Sequence, residues 1–348
     1  AIERTGLHQS SERWALRASD ILAESGQRQR ARELLGPWLE RHADSVPLLT
    51  RAAKLAMAER DFDAAMGAFR KLCKLEQGTA RRTAALGLAR AAESAGRPEV
   101  AVAEVEAVLA DGLDSVELRR ELARLYARTG DRIKQARMVL DEARAARGSS
   151  QLELFTKAAE LFAAEQATDD ALAALAELGK LDPERPDAQL LTANVLASAG
   201  RIEQAHQTLA AFLKATEKRH TKAHAKLFFR LGELALAQDD WALALPSLLS
   251  AHHLDKNDGD IAFTLGLLAA DLDELDTAFS TLRAFVTAKD KATDLATRRQ
   301  LSRACLALAE LELAKGQKTV ARRMATRAAE ADPQNKEAQR FLTDVALR

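Results

Sequence analysis

Apolar residues recur in this chain at two scales. Over short stretches they fall four and seven residues apart, the spacing that sets side chains on one face of an α-helix. Over longer stretches a single alanine returns at a nearly fixed period. Ala31, Ala65, Ala101, Ala136, Ala171, Ala205, Ala244, Ala278 and Ala321 each open an apolar helical run, in steps of 34, 36, 35, 35, 34, 39, 34 and 43 residues. Four residues after each alanine stands Leu35, Phe69, Val105, Leu140, Leu175, Leu209, Leu248, Leu282 or Ala325. Seven after stands Trp38, Leu72, Val108, Ala143, Leu178, Phe212, Ala251, Phe285 or Ala328. Twelve before lies a second small residue: Ser19, Ala53, Ala89, Ala159, Ala193, Gly232, Gly266 or Ala309, with Ala123 thirteen before in the fourth repeat. Two helices that cross where these small residues meet can approach closely. The period predicts a stack of helical hairpins.

The turn of each hairpin falls about five residues before its alanine. Gly26, Gly96, Gly200 and Gly316 occupy it, with Gly130 in the lengthened fourth repeat. Glycine accepts the left-handed conformation that ends a helix. Asp239 and Asp273 take this place in two other repeats, a tolerated replacement. Between repeats, Asp182-Pro183 and Asp332-Pro333 stop a helix, because the residue before proline is pushed out of helical geometry. The hairpins are assigned to 12–45, 46–79, 82–115, 116–150, 152–185, 186–219, 225–258, 259–292 and 302–335. Residues 336–348 read as a capping helix, with Ala338, Phe341, Leu342 and Val345 covering the last apolar face. The polar outer side of that helix argues for a monomer.

The two long steps contain polar stretches, Lys214 to Lys226 and Thr287 to Gln300. Each lengthens a helix or a connection, and a longer solvated helix is the plainer expectation. His220 and His224, four apart in the first stretch, read as a solvated pair rather than metal ligands, since no third ligand stands nearby.

Composition narrows the picture. The chain has 348 residues, 47% of them hydrophobic and only 4% aromatic, and alanine dominates. Alanine loses no side-chain entropy in a helix. β-branched runs are almost absent, so no sheet is expected. Lys and Arg number 51 against 51 Asp and Glu, which argues against a dedicated nucleic-acid or membrane-surface protein. Cys73 and Cys305 lie in distant repeats and read as free thiols. No apolar stretch approaches the roughly 18 residues of a membrane span. The chain begins Ala1-Ile2-Glu3 with no signal-peptide pattern, as expected of a piece of a longer protein or a processed form. The compartment is left open.

The small residue of the first helix, the turn glycine, the ladder alanine and the closing proline together resemble the tetratricopeptide repeat (TPR) family over roughly residues 11 to 335. The segment Ala193-Asn194-Val195-Leu196-Ala197-Ser198-Ala199-Gly200-Arg201-Ile202-Glu203-Gln204-Ala205 matches that pattern closely. Most repeats lack the aromatic early in the first helix, and two keep the proline. The resemblance implies an all-α, right-handed superhelical solenoid of about nine TPR-like hairpins plus a C-terminal capping helix. Its first helices would line a concave groove in which a partner segment lies.

Carried over by offset from the ladder, the groove positions change character along the chain. Lys54, Arg90, Arg120 and Arg124 place a basic stripe in the second to fourth repeats. Glu160, Glu233 and Glu310 make the later groove acidic, with Asn194 between. Phe229, Phe263, Leu267 and Leu306 are expected as exposed apolar anchors, against the plainer reading that they pack on adjoining helices. The lysine, asparagine and arginine set that holds a terminal carboxylate in chaperone-binding relatives is absent, since no asparagine accompanies Lys54 and Arg90.

No phosphate-binding glycine loop, HExxH, GxSxG or CxxC occurs, and no cofactor is expected. The expected function is a non-enzymatic scaffold that binds a protein or peptide segment. The alternative is a structural module of a bacterial cell-envelope assembly or secretion machine, as in the TPR arms of polysaccharide exporters. A nucleic-acid partner is disfavoured by the zero net charge.

Overall fold

The structure, a computed structural model, describes residues 2–112 and 115–347, and side chains of 12–112 and 115–344. Among the described residues it contains nineteen α-helices and no strand. The chain divides into two compact units, Ala1–Leu181 and Asp182–Arg348.

The N-terminal unit holds α1 (Ile2–Glu24), α2 (Arg28–Arg41), α3 (Val46–Ala58), α4 (Phe62–Leu75), α5 (Gly78–Ser94), α6 (Pro98–Ala110), α7 (Val116–Thr129), α8 (Arg132–Ala145), α9 (Ser149–Ala164) and α10 (Thr168–Leu181). The C-terminal unit holds α11 (Pro186–Ser198), α12 (Ile202–Ala215), α13 (Ala225–Leu236), α14 (Trp241–Leu254), α15 (Gly259–Asp271), α16 (Leu275–Ala288), α17 (Leu295–Ala314), α18 (Lys318–Ala331) and α19 (Lys336–Leu347). Consecutive helices pack as hairpins. First helices of neighbouring hairpins also touch: α1 with α3, α5 with α7, α11 with α13, and α15 with α17.

Every ladder alanine is fully buried. The small residues opposite them have no room to grow. A Cβ added to Gly266 would stand 2.7 Å from Leu282 Cδ2 and 2.8 Å from Thr281 Oγ1. The fold combines close helix crossings with buried large side chains such as Leu35, Leu88, Phe162 and Phe285.

All nine hairpin turns share one geometry. A residue with φ between 56° and 82° follows the first helix: Gly26, Arg60, Gly96, Gly130, Gln166, Gly200, Asp239, Asp273 and Gly316. The next N–H then bonds a carbonyl five residues back, as in Gln27 to Leu22 at 2.8 Å, Asp61 to Ala56 at 2.9 Å and Arg201 to Leu196 at 2.9 Å. This satisfies carbonyls that the helix end would leave unpaired. Arg60 and Gln166 hold this place without the glycine or aspartate signal, so local sequence did not mark them. Asp61, Asp131 and Asp240 then cap the second helix through Ala64, Lys134 and Leu243 N–H, each at 3.1 Å.

The two long steps part company. Thr287 to Gln300 does lengthen a helix, since α17 runs 20 residues. Lys214 to Lys226 does not, contrary to the sequence expectation. Helix α12 stops at Ala215, and two 3₁₀ turns, Glu217–Arg219 and Lys222–His224, lead into α13. Apolar packing explains the break: His224 is buried and stacks on Phe212, with ring centroids 5.9 Å apart. At the C-terminal end α19 buries Ala338 and lays Phe341 on the core, while the Val345 side chain lies outside the described residues.

Candidate partner-binding surface

In the N-terminal unit, the basic positions sit on three successive first helices. Lys54 on α3 and Arg90 on α5 are exposed and make no ion pair among the described residues. Arg120 and Arg124 on α7 are already engaged. Arg120 Nε lies 2.5 Å from Glu142 Oε1, a buried carboxylate on α8. Arg124 Nη2 holds Glu121 at 2.6 Å and also Glu93 of α5, whose side chain is nearly buried. Arg128 reaches the same Glu93 at 2.9 Å. The hydrogen bond to Glu121, more than that to Glu93, raises Arg124 above the ordinary guanidinium range. This network is electrically neutral: two arginines face two carboxylates. The expected stripe thus reduces to two unneutralised cations, Lys54 and Arg90. Glu160, on α9, is exposed. Sequence reasoning missed Glu93 and Arg128, because their meeting joins α5 to α7 across 35 residues.

In the C-terminal unit the same register positions fare differently. Phe263 and Leu306 are each only 7% exposed and belong to the core, which corrects the expectation of exposed anchors there. Phe263 packs on Phe285 with centroids 5.1 Å apart, and the Arg303 guanidinium lies 5.6 Å over its ring. Leu267 and Phe229 are half-buried against neighbouring core clusters. Phe263 lies three residues before Gly266, where an added Cβ would stand 2.7 Å from Leu282, whereas Leu306 is buried beside Ala309 and Phe229 is only half-buried beside Gly232. Asn194 is half-buried, and Glu233 is paired with Arg230 at 3.0 Å. Glu310 reaches solvent, yet lost hydration, then Glu337 and Asp271, push its carboxyl above the usual range.

His220 and His224 also depart from expectation, being packed rather than solvated. Their rings lie 5.1 Å apart, and His220 meets Phe228 edge-on at 5.0 Å. His220 Nε2 lies 2.9 Å from the Leu213 carbonyl oxygen, and His224 Nδ1 accepts the Thr221 N–H at 3.1 Å. Burial, and then His220, hold His224 below its ordinary value. Among the described residues no cluster of three His, Cys, Asp or Glu could hold a metal, and no helix is long and apolar enough to cross a membrane. Cys73 and Cys305 are buried free thiols, each pushed up to about 11 by lost hydration.

Two tetratricopeptide repeat family signatures match the chain, over residues 86–150 and 162–227. None of the curated proteins matches it. Among solved structures, the C-terminal part of a TPR repeat-containing protein from Cytophaga hutchinsonii superposes with TM-score 0.52 at 15% identity, over 73% of this chain and 98% of that one. A structure of Naa15/Naa10 bound to HypK-THB gives TM-score 0.51 at 15% identity, with 96% of this chain spanning 60% of that one. YrrB, a TPR protein with an unusual peptide-binding site, gives TM-score 0.43 at 22% identity, over 54% of this chain and 89% of its own. The repeat signatures, the buried alanine ladder and the common turn agree: the chain is a tetratricopeptide repeat protein, built as a scaffold for protein–protein interaction.

Proposed function

We propose that the chain acts by binding and not by catalysis, and that the first-helix face of its N-terminal unit receives an acidic segment of a protein partner. The repeats concerned are those assigned to 46–79, 82–115 and 116–150. The observation that carries this reading is the exposure of Lys54 and Arg90 with no carboxylate among the described residues to neutralise them, beside arginines that are neutralised. An unpaired exposed cation keeps its full charge for a partner and raises the rate of encounter. Arg120 and Arg124 shape the face and hold α7 to its neighbours. Glu160, Glu233 and Glu310, with Asn194, Phe229 and Leu267, would serve basic and apolar partner side chains in a lesser role.

An array of acidic peptides probed with wild-type and Lys54→Glu/Arg90→Glu protein tests this. Spots bound by the wild type are expected to fade by about tenfold or more in the variant. Equal intensities on both arrays would overturn the proposal.

A further inference from the structure

The irregular connector of the C-terminal unit borders a pair of apolar clefts. Two adjoining clefts, of about 610 and 430 Å3, share His220, Phe228 and Ser250 in their walls. Leu213 from α12, Phe228 and Leu231 from α13, and Leu243, Pro246 and Leu249 from α14 supply the apolar lining. Leu249 is 41% exposed, a large apolar side chain left facing solvent. A cleft of this size and character accepts one or two large apolar side chains.

The connector beside the cleft is rich in basic residues. Between Lys214 and Lys226 the chain carries Lys214, Lys218, Arg219, Lys222 and Lys226 against Glu217 alone. Arg219 is neutralised by Glu184 at 2.6 Å, and Lys222 by Asp255 at 3.1 Å. Lys214, Lys218 and Lys226 are exposed and make no ion pair among the described residues; Lys214 lines the cleft together with Glu217, so the segment's unpaired groups leave an excess of two positive charges. Apolar depth with an unneutralised cationic edge selects one chemistry. The occupant must bring negative charge beside a bulky apolar group.

We propose that this cleft is a second docking site, which takes a leucine or aromatic side chain from an acidic segment of a partner protein. It is separate from the Lys54 and Arg90 face, because every wall belongs to α12, the connector, α13 and α14. The imidazoles give the site its form. His220, bonded to the last turn of α12 and packed edge-on against Phe228, holds the connector away from a continuous helix. Ser250 already donates to the Pro246 carbonyl at 2.8 Å, so its hydroxyl offers an acceptor rather than a donor to the cleft.

The test is a titration by fluorescence anisotropy in the Lys54→Glu/Arg90→Glu background, which silences the other face. The probe is a short fluorescein-labelled peptide of aspartate and glutamate with two leucines. A second probe has both leucines replaced by alanine. Saturable binding of the first, weakened about tenfold or more by Lys214→Glu/Lys218→Glu, by Leu249→Glu and by the alanine probe, is expected. Leu249 and both lysines are exposed, and circular dichroism checks that each variant stays folded. Absence of saturable binding would overturn the proposal, as would equal affinity for the two probes. Equal capture by anionic lipid vesicles with the same loss in the Leu249→Glu variant would also overturn it, by assigning the cleft to lipid.

Discussion

The first helices of the two units follow one repeat pattern, and the surfaces they present differ. In the N-terminal unit Lys54 and Arg90, eleven residues before their ladder alanines, and Arg120 and Arg124, sixteen and twelve before theirs in the lengthened repeat, are all on solvent-facing surface. In the C-terminal unit Phe263 and Leu306, fifteen before theirs, are core, whereas Thr50, Leu86 and Thr156 at that offset in the N-terminal unit are half-buried. The backbone pattern is common to both, so the difference lies in packing. An alanine at the crossing, as in Ala53 and Ala89, leaves the helices a methyl group apart. Glycine at 232 and 266 removes it, and Leu248 and Leu282 press to within 2.8 and 2.7 Å of where it would stand. Burial does not follow the glycines alone: Phe263, three before Gly266, is core, as is Leu306, three before Ala309, while Phe229, three before Gly232, is half-buried. A repeat offset predicts which way a side chain faces, but how deep it sits depends on the side chains that neighbouring helices pack beside it.

The largest effect should come from undoing that close approach. Gly266→Leu is expected to cost about 3 kcal/mol in urea unfolding, because the added side chain collides with Leu282 and Thr281. Ala205→Leu, at a ladder position, should cost about 1–3 kcal/mol by the same mechanism. An unchanged unfolding midpoint for either variant would mean that the helices do not cross there.

Next in size are the turns. Gly200 has φ 74°, and Gly200→Ala should cost about 1 kcal/mol. Arg60 has φ 62°, so Arg60→Gly should gain roughly 0.5 kcal/mol by relieving left-handed strain. Loss of stability in Arg60→Gly would show that the turn is not strained.

Smaller effects follow pH. His224 has a folded value below the ordinary 6.5, so its neutral form stabilises the fold above that pH. That contribution is lost as pH falls through 6.5 to the lower folded value. Thermal melts of His224→Phe should therefore lose less stability between pH 7 and 5 than wild type, and parallel curves would refute the buried placement. Glu310 has the opposite sign. Its raised carboxyl makes ionisation unfavourable in the fold, so stability is greatest below about 4.5 and declines as pH rises through the folded value. Glu310→Gln should melt higher than wild type at pH 7 and alike at pH 4. No difference at pH 7 would place Glu310 among solvated carboxylates.

Much of this was legible in the chain. The alanine ladder, the five turn glycines and Asp182-Pro183 mark where helices start, turn and stop, because each acts through local sterics. Arg60 and Gln166 were not legible as turn residues, since their own chemistry disfavours the left-handed conformation they adopt. The connector was misjudged for a similar reason. Its polar letters suggest a solvated helix, while His224 and Phe212, twelve residues apart, stack only once the chain has bent. At the candidate site, the charges were visible but their pairing was not. Glu93 neutralises Arg124 across 31 residues, and that contact separates the engaged arginines from Lys54 and Arg90.

The central claim is that those two cations carry partner recognition in the N-terminal unit. A charge swap tests it most directly. An acidic peptide that binds the wild type is titrated against Lys54→Glu/Arg90→Glu, alongside the same peptide with its acidic residues changed to lysine. The account predicts that the variant loses the acidic peptide by about tenfold or more and binds the lysine peptide in its place. If the acidic peptide binds both proteins with equal affinity, or the lysine peptide fails to bind the variant, the claim is contradicted.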